Sequence, residues 1–279
     1  MREFAKDTAE IRGAVTRALA LAQQQAMRHL FHRQVVENLP GRRILAVGAH
    51  PDDIAIGCGG SLWKARKQAE HVGLVCMTDG RLGVADGGDE DAAVEVRAAE
   101  ERQVAARMGL AEPEMIGCSE RTFLEPQQRG GLVQQLADVL LRQKPDTVLV
   151  PDLSDQHPDH RYVSSLLAEA LAQYTPERVI TYEVWSFTPP GLVVDISSCF
   201  EAKKELVACY ASQLELVDYL QFADTLGRMR APLAGPDAVA AEVFCPYRPA
   251  TFLEAVQGQD ASCPAGSSVQ VLLTPPDLA

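Results

Sequence analysis

The sequence contains no apolar run that is long enough to cross a bilayer. A membrane-spanning helix needs about 20 consecutive, mainly apolar residues, and charged residues interrupt every stretch of that length in this chain of 279 residues. The segment 1–15 carries charges throughout and lacks the uninterrupted apolar centre of a secretory signal. We therefore expect a protein without a membrane span that is located in the cytoplasm.

The sequence also lacks a CxxC pair, and its cysteines are odd in number. Seven cysteines are present, and several lie inside apolar runs such as GLVCM at 73–77 and EMIGC at 114–118. A secreted disulfide framework usually has an even number of cysteines at regular spacings. The pattern therefore predicts buried, reduced thiols in a cytosolic protein.

Positive charge is scarce in this chain compared with negative charge. The sequence has 26 Lys and Arg residues against 38 Asp and Glu residues, a formal net charge of −12. Such an acidic surface repels phosphate backbones, so we do not expect nucleic acid as a partner. The 47% of hydrophobic residues suffices for one well-buried core, and a small substrate would respond to the local field of a pocket.

Composition divides the chain into three segments. Residues 1–40 are rich in Ala, Gln, Arg and Leu, and this composition predicts an N-terminal helical extension. Residues 41–248 are expected to form a single domain. Residues 249–279 are rich in Pro, Ser and Gln, which predicts a poorly ordered tail.

Short apolar runs alternate with helical patterns after residue 41. Strands are expected at 43–48, 72–77, 114–118, 147–150, 179–185 and 192–196, and helices at 61–70, 92–108, 132–143, 161–171 and 200–213. This alternation predicts an α/β fold of the Rossmann-like, doubly wound type, with a mostly parallel sheet and helices on both faces. In such folds the functional loops follow the carboxyl ends of the strands.

Two of the predicted strands end in segments that are rich in His and Asp. Residues 49–53, AHPDD, follow the first strand, and residues 151–160, PDLSDQHPDH, follow the fourth. His and Asp bind borderline metals and move protons near neutral pH. If these two strands are neighbours in the sheet, the two loops face each other across one cleft.

Metal-dependent hydrolysis requires about three protein ligands, an open position for water and a separate base. His50 and Asp53 are three residues apart, so one turn can direct both at one point, and His160 can supply a third ligand. Asp52 and His157 then remain for acid–base chemistry. Two histidines and one carboxylate suit Zn²⁺ and would also accept Fe²⁺ or another divalent metal.

The ordered pair of HPDD at 50–53 and HPDH at 157–160, with GCGG at 57–60 between them, resembles the LmbE/PIG-L family of zinc-dependent N-acetylglucosaminyl deacetylases. The resemblance extends over residues 43–247. It implies that His50, Asp53 and His160 bind the metal, that Asp52 is the general base, and that His157 stabilises the oxyanion.

The same resemblance implies further roles. Asp159 is expected to orient a metal-ligating histidine, and Arg97 and Glu120 are expected to contact an amino-sugar substrate. The chain departs from the family pattern where many members have Glu after HPDD, since Ile54 follows it here. It departs again at Gln156, near which some members have Tyr. Because of these differences, the family resemblance does not identify the substrate of this protein.

Other interpretations remain open from the sequence. Arg97 could be an exposed, salt-bridged helix residue, and Asp155 and Asp159 could cap a helix. The GCGG segment could be a dinucleotide-binding loop, although it lacks GxGxxG, and Cys58 could be a nucleophile or a small packed residue. The protein could also be an amidase for another glucosaminyl amide or a non-catalytic sugar-binding relative. The N-terminal segment and the resemblance also predict a homo-oligomer.

Overall fold

The computed structural model describes residues 33–85 and 87–259, and its centre is one eight-stranded sheet. The strands are β1 Gln34–Val36, β2 Arg43–Gly48, β3 His71–Thr78, β4 Glu114–Cys118, β5 Thr147–Pro151, β6 Arg178–Tyr182, β7 Leu192–Asp195 and β8 Ala241–Tyr247. Their order across the sheet is β1-β7-β8-β6-β5-β2-β3-β4. Neighbouring strands are parallel except where β8 pairs with β6 and β7.

Helices cover both faces of this sheet. They are α1 Asp53–Ala65, α2 Glu90–Met108, α3 Pro126–Gln143, α4 Pro158–Ala170, α5 Phe200–Val207, α6 Ala211–Leu214, α7 Tyr219–Ala234 and α8 Pro249–Gln259, with a 3-10 turn at Ser197–Cys199. Side chains of α1, α2, α5 and α7 share one core cluster, and those of α3, α4 and α8 share another. The predicted fold class is confirmed.

Strand β2 shows why its sequence is apolar at nearly every position. Ile44 and Ala46 belong to the core on one face, and Leu45 and Val47 belong to the core on the other. All four side chains are fully buried. Successive residues of a strand point to opposite faces, so a strand covered on both sides needs apolar residues throughout.

The order of the strands reverses beside β2. The chain passes from β2 outward through β3 and β4 and then returns to β5 on the other side of β2, where Ala46 pairs with Leu149. A crevice opens beyond the carboxyl ends of strands at such a switch point. The two segments that are rich in His and Asp therefore leave the sheet side by side, as the sequence predicted.

The GCGG segment lies inside α1 and not in the loop that the sequence suggested. A Cβ atom on Gly57 would lie 2.3 Å from the Tyr182 ring, and one on Gly60 would lie 2.9 Å from Ile196. Glycine is required because α1 packs against β6 and against the residues after β7 too closely for a side chain. Helix packing therefore overrides the low helix propensity of glycine here.

Both ends of the described chain differ from the expectation. Residues 1–32 and 260–279, with most of the predicted helical extension and tail, lie outside the described residues. Within the structure, Gln34–Val36 form a strand and not a helix, because they pair with β7 at the edge of the sheet. Residues 249–259 are helical and not poorly ordered, because Phe252 is fully buried in the core. Helix α7 and strand β8 were not predicted.

Two further expectations concern the helices and the thiols. Within residues 33–85 and 87–259, no helix combines the length and the apolar character that a membrane span requires. Six of the cysteines lie in these ranges and none of the six is in a disulfide. Cys58 is fully buried, and its thiol donates to the carbonyl of Ile54 at 3.3 Å, so it is a packed residue.

Candidate active site

Three side chains from the two strand-end loops converge at the switch point. His160 Nε2 lies 3.1 Å from Asp53 Oδ1 and 3.3 Å from His50 Nδ1. His50 Nδ1 lies 3.5 Å from Asp53 Oδ2. His50 belongs to the loop after β2, and Asp53 begins α1, whereas His160 lies in the first turn of α4.

These separations match the requirements of a metal centre. Two ligands at about 2.1 Å from a tetrahedral metal are about 3.4 Å apart. The distance between the two imidazole nitrogens and the distance from each of them to its nearer Asp53 oxygen bracket that value. Two imidazole nitrogens and a carboxylate are a donor set that Zn²⁺ and Fe²⁺ accept. The geometry therefore fits one divalent cation bound by His50, Asp53 and His160.

Asp53 is held in place by the backbone of its own loop. Its Oδ2 accepts hydrogen bonds from the amides of Ala49 at 2.9 Å and His50 at 2.8 Å. Burial alone would raise the pKa of Asp53, but the charge and hydrogen bond of His160 hold it well below the usual value. The carboxylate is therefore ionised and oriented toward the two histidines.

Additional carboxylates lie behind the two histidines. Asp159 Oδ2 and Glu120 Oε1 lie 3.1 Å and 3.2 Å from His50 Nε2, the nitrogen opposite the convergence point. Asp155 Oδ1 lies 3.2 Å from His160 Nδ1. Carboxylates in these positions orient ligating imidazoles and increase their basicity.

This arrangement makes the site favourable for positive charge. Burial lowers the pKa of His50, but its hydrogen bonds to Asp159 and other carboxylates raise it well above the usual value. Burial likewise lowers the pKa of His160, whereas Asp53 and Asp155 raise it to about 9. The carboxylates thus stabilise a cation at the convergence point, and a metal ion would replace these protons.

Asp52 is buried beside this centre, in an unusual backbone conformation. Its φ angle is 128°, a region that residues with a side chain rarely adopt. Burial raises the pKa of Asp52 to about 6, although the charge of Arg97 opposes this change. A carboxylate with a pKa near the working pH suits a general base.

His157 forms the N-cap of α4, and its ring lies 4.8 Å from those of both His50 and His160. Its Nδ1 accepts a hydrogen bond from the Asp159 amide at 3.3 Å, which leaves Nε2 to carry the proton of the neutral ring. Burial and the charges of His50 and His160 lower the pKa of His157. The ring can therefore donate a hydrogen bond while it is uncharged.

The three histidines offer an alternative ligand set, since one nitrogen from each lies within 4.8 Å of the others. The set with Asp53 has the shorter separations, between 3.1 and 3.5 Å. The structure therefore brings together all five residues of the HPDD and HPDH motifs that the sequence selected. It leaves their individual roles as predictions.

Arg97 is not the exposed residue that one interpretation suggested. Its exposed fraction is 3%, and its guanidinium Nη2 donates to Asp52 Oδ2 at 3.0 Å. Glu120 is also engaged, because its Oε2 accepts from the Leu82 amide at 2.6 Å. The contact of Arg97 and Glu120 with an amino-sugar substrate stays a prediction.

Sequence reasoning missed the contribution of Asp155. Its side chain is fully buried and accepts from the amides of His157 and Trp185, both at 2.9 Å, so it is not a solvated helix cap. Trp185 in turn packs against Tyr219 and Phe222, at ring distances of 5.9 Å and 4.8 Å. The available signal was an aspartate in the loop after β5, two residues before the HPDH motif begins at His157.

Comparison with known proteins is consistent with this geometry. Residues 45–183 match the sequence family PIG-L, described as GlcNAc-PI de-N-acetylase, and the chain belongs to this family. The predicted resemblance is therefore confirmed. The family is metal-dependent, and the matched segment contains every candidate residue named above.

Two curated relatives are similar over most of their own length. Diacetylchitobiose deacetylase of Thermococcus kodakarensis is 27% identical over 192 residues, 62% of this chain and 70% of the relative. An uncharacterized deacetylase of Escherichia coli, YaiS, is 29% identical over 173 residues, 58% of this chain and 82% of the relative.

A solved structure shares the fold. It is N,N'-diacetylchitobiose deacetylase from Pyrococcus horikoshii in complex with its inhibitor MPG. The TM-score is 0.68 at 22% identity, and the superposition covers 84% of this chain and 94% of the other. The likeness therefore extends well beyond the segment 45–183, to most of the sheet and its helices.

Proposed function

We propose that this protein is a metal-dependent hydrolase that removes an N-acetyl group from an N-acetylglucosamine-type amino sugar or its conjugate. The convergence of His50 Nδ1, the Asp53 carboxylate and His160 Nε2 within 3.1–3.5 Å is the observation that carries this proposal. The similarity to diacetylchitobiose deacetylase of Thermococcus kodakarensis supports the choice of an amide as the scissile bond.

Zn²⁺ is the metal that we propose, and the donor set would also hold Fe²⁺ or another divalent ion. Bound by His50, Asp53 and His160, such an ion supplies a water of lowered pKa and polarises the amide carbonyl. The surrounding carboxylates at Asp155, Asp159 and Glu120 fit this role, because they stabilise positive charge at the same point.

Asp52 acts in this proposal as the general base. It lies between Pro51 and the ligand Asp53, and its carboxylate is not needed as a ligand. Its raised pKa of about 6 leaves it ionised yet basic near neutral pH. It takes the proton from the attacking water, and it can then deliver that proton to the departing amine.

His157 acts on the acyl oxygen. The Asp159 amide occupies its Nδ1, so Nε2 donates a hydrogen bond to the negative charge that develops on this oxygen. The lowered pKa of His157 favours the neutral ring, which donates through the same nitrogen.

Two alternatives of the sequence interpretation are distinguished by experiment. An amidase for another glucosaminyl amide would share the metal and Asp52 but release a different acid. A sugar-binding relative without catalysis would not require Asp52, and the retention of this strained, buried carboxylate argues against it.

The test combines metal analysis with acetate release. The purified protein is expected to contain about one divalent ion per chain and to release acetate from diacetylchitobiose or methyl N-acetylglucosaminide. Removal of the metal with a chelator should abolish activity, and Zn²⁺ should restore it. A metal-free protein that binds these sugars without releasing acetate would contradict the proposal.

Two further predictions accompany this function. A homo-oligomer is proposed from the N-terminal segment and from the family, and light scattering at micromolar concentration tests it, since a monomer would contradict it. Location in the cytoplasm and a small-molecule partner remain predictions as well, and fractionation of the native cells tests the location.

A further inference from the structure

Arg97 is buried directly beside Asp52. It extends from α2 toward the loop after β2, and only 3% of its surface is exposed. Its side chain passes between two glycines of the loop after β3. A Cβ atom on Gly80 would lie 3.2 Å from Arg97 Nε, and one on Gly83 would lie 2.8 Å from Nη1. The two glycines therefore leave the space that the guanidinium fills.

The guanidinium reaches two groups of the same turn. Arg97 Nη2 donates to Asp52 Oδ2 at 3.0 Å and to the carbonyl oxygen of Pro51. One nitrogen thus holds both the backbone before Asp52 and the carboxylate of Asp52. A charge-assisted pair of hydrogen bonds of this kind is strong and specific in geometry.

Asp52, which Arg97 holds in this way, also has a strained backbone conformation. The φ angle of 128° at Asp52 places a side chain where glycine is usually needed, and such conformations persist only when the surroundings enforce them. Asp52 receives no side-chain help from capping, because its carboxylate does not accept from the first amides of α1. Arg97 is therefore the polar contact that fixes the direction of this carboxylate.

We propose that Arg97 is a positioning residue that locks the Pro51–Asp52 turn and directs the Asp52 carboxylate. This inference rests on the proposed function only in assigning the chemistry to Asp52. The contact between Arg97 and Asp52 itself is independent of which amide is hydrolysed.

The kinetic test separates positioning from binding. In the metal-loaded enzyme, Arg97→Ala should lower kcat about 10²-fold, as expected for a misplaced catalytic group, and KM should change by no more than about threefold. Arg97→Lys should lose about tenfold, because an ammonium group keeps the charge but does not fill the space that the planar guanidinium occupies beside Gly80 and Gly83. Added guanidinium ion should restore part of the kcat of Arg97→Ala.

A second pair of variants perturbs Arg97 without replacing it. Gly83→Ala places a methyl group 2.8 Å from Arg97 Nη1 and 2.7 Å from Gln213 Oε1, and its backbone does not require a left-handed conformation. Gly83→Ala should lower kcat, as Arg97→Lys does. Gly130→Ala in α3 meets no atom within 4 Å and is the matched control, and Arg102→Ala on the exposed side of α2 controls for loss of an arginine.

Thermal unfolding of the metal-free protein provides a readout that does not depend on activity. Arg97→Ala leaves the buried Asp52 carboxylate without its partner, so it should lower Tm. In the Asp52→Asn background the same substitution should lower Tm less, because the two effects are coupled. Metal content should be unchanged in every folded variant.

The outcomes are distinguishable. A KM that rises at least about tenfold with kcat unchanged would identify Arg97 as a substrate contact and overturn the inference. Additive effects of Arg97→Ala and Asp52→Asn on Tm would overturn it as well. If the wild-type protein shows no amide hydrolysis, the proposed function fails, while the unfolding measurements still test the contact.

Discussion

Two buried glutamates show how differently this protein treats charge in two regions. Glu242, on β8, accepts hydrogen bonds from the amides of Gly60 and Ser61 in α1, at 3.0 Å and 2.7 Å, and from Lys203 Nζ at 2.6 Å. Glu101, beneath the candidate active site, accepts from the Tyr210 hydroxyl at 2.5 Å. Within the part of the chain that the structure describes, no cationic nitrogen forms a salt bridge with Glu101.

The difference distinguishes a structural region from a functional one. The Lys203–Glu242 pair is neutral as a whole and its carboxylate is saturated with donors. Around the candidate active site, Asp52, Asp53 and Glu101 are buried together, and the repulsion between these carboxylates contributes to the raised pKa values of Asp52 and Glu101. Such an excess of buried negative charge is costly unless a cation neutralises it, and perturbed groups of this kind cluster at functional sites.

The largest expected effect is loss of the metal. His160→Ala removes one of three donor atoms from the site, and both bound metal and acetate release should fall to background, as measured by elemental analysis and an acetate assay. His71→Ala, at the opposite end of the sheet, is the matched control and should keep both. Full metal content in His160→Ala would contradict the assignment of His160 as a ligand.

Removal of the base should have the next largest effect. Asp52→Asn keeps the size of the side chain but removes its basicity, so kcat should fall about 10²–10⁴-fold while the metal remains bound. Steady-state kinetics and elemental analysis on the same preparation provide the measurement. Near-normal kcat in a metal-loaded Asp52→Asn protein would require another group as the base.

Substitution in the Lys203–Glu242 pair should lower the stability of the fold and leave metal binding intact. Lys203→Met leaves Glu242 buried without its cation, and unfolding in urea should show a loss of about 3–5 kcal/mol in stability. The double variant with Glu242→Gln should recover much of that loss. Folded Lys203→Met protein should still bind one metal per chain, and a selective loss of metal would mean that this region also supports the site.

The smallest expected effect concerns Glu101 and pH. Burial raises the pKa of Glu101 to about 7, while the Tyr210 hydrogen bond opposes this change. A carboxyl group whose pKa is raised on folding stabilises the folded state most at low pH, and this contribution is lost as pH rises through about 7.

Glu101→Gln should therefore be more stable than the wild-type protein at pH 8, by about 1–3 kcal/mol, and nearly equal to it at pH 5. Urea unfolding across this pH range tests the sign. Glu242→Gln is the comparison, since it removes a paired carboxylate and should lower stability at both pH values. An unchanged pH profile in Glu101→Gln would show that this carboxyl group does not titrate there.

Much of the fold and the site could be predicted from local patterns. Apolar runs identified strands β2 to β7, and the motifs at 50–53 and 157–160 followed two of them directly. The helical position of GCGG could not be predicted in this way, because it depends on contact with Tyr182 and Ile196 from distant strands. Strand β8 was not predicted because its apolar run, AEVFCPY, contains a charge and a proline.

The site residues divide in the same manner. His50, Asp53 and His160 could be selected as candidate ligands because metal ligation favours particular residue types in short motifs. Asp155 and the burial of Arg97 were not, because their roles follow from contacts across the fold. Asp155 accepts from Trp185, 30 residues away, and Arg97 reaches Asp52 across 45 residues.

The sequence by itself determined which residue types follow which strands, since local periodicity and motif spacing are properties of short segments. Only the tertiary structure decided that β2 and β5 are neighbours and that His50 meets His160 across 110 residues. It also decided which imidazole nitrogen faces the point where His50, Asp53 and His160 converge, and which carboxylates contact the opposite nitrogen. These outcomes depend on strand register and on packing between distant segments, which no local pattern of residues specifies.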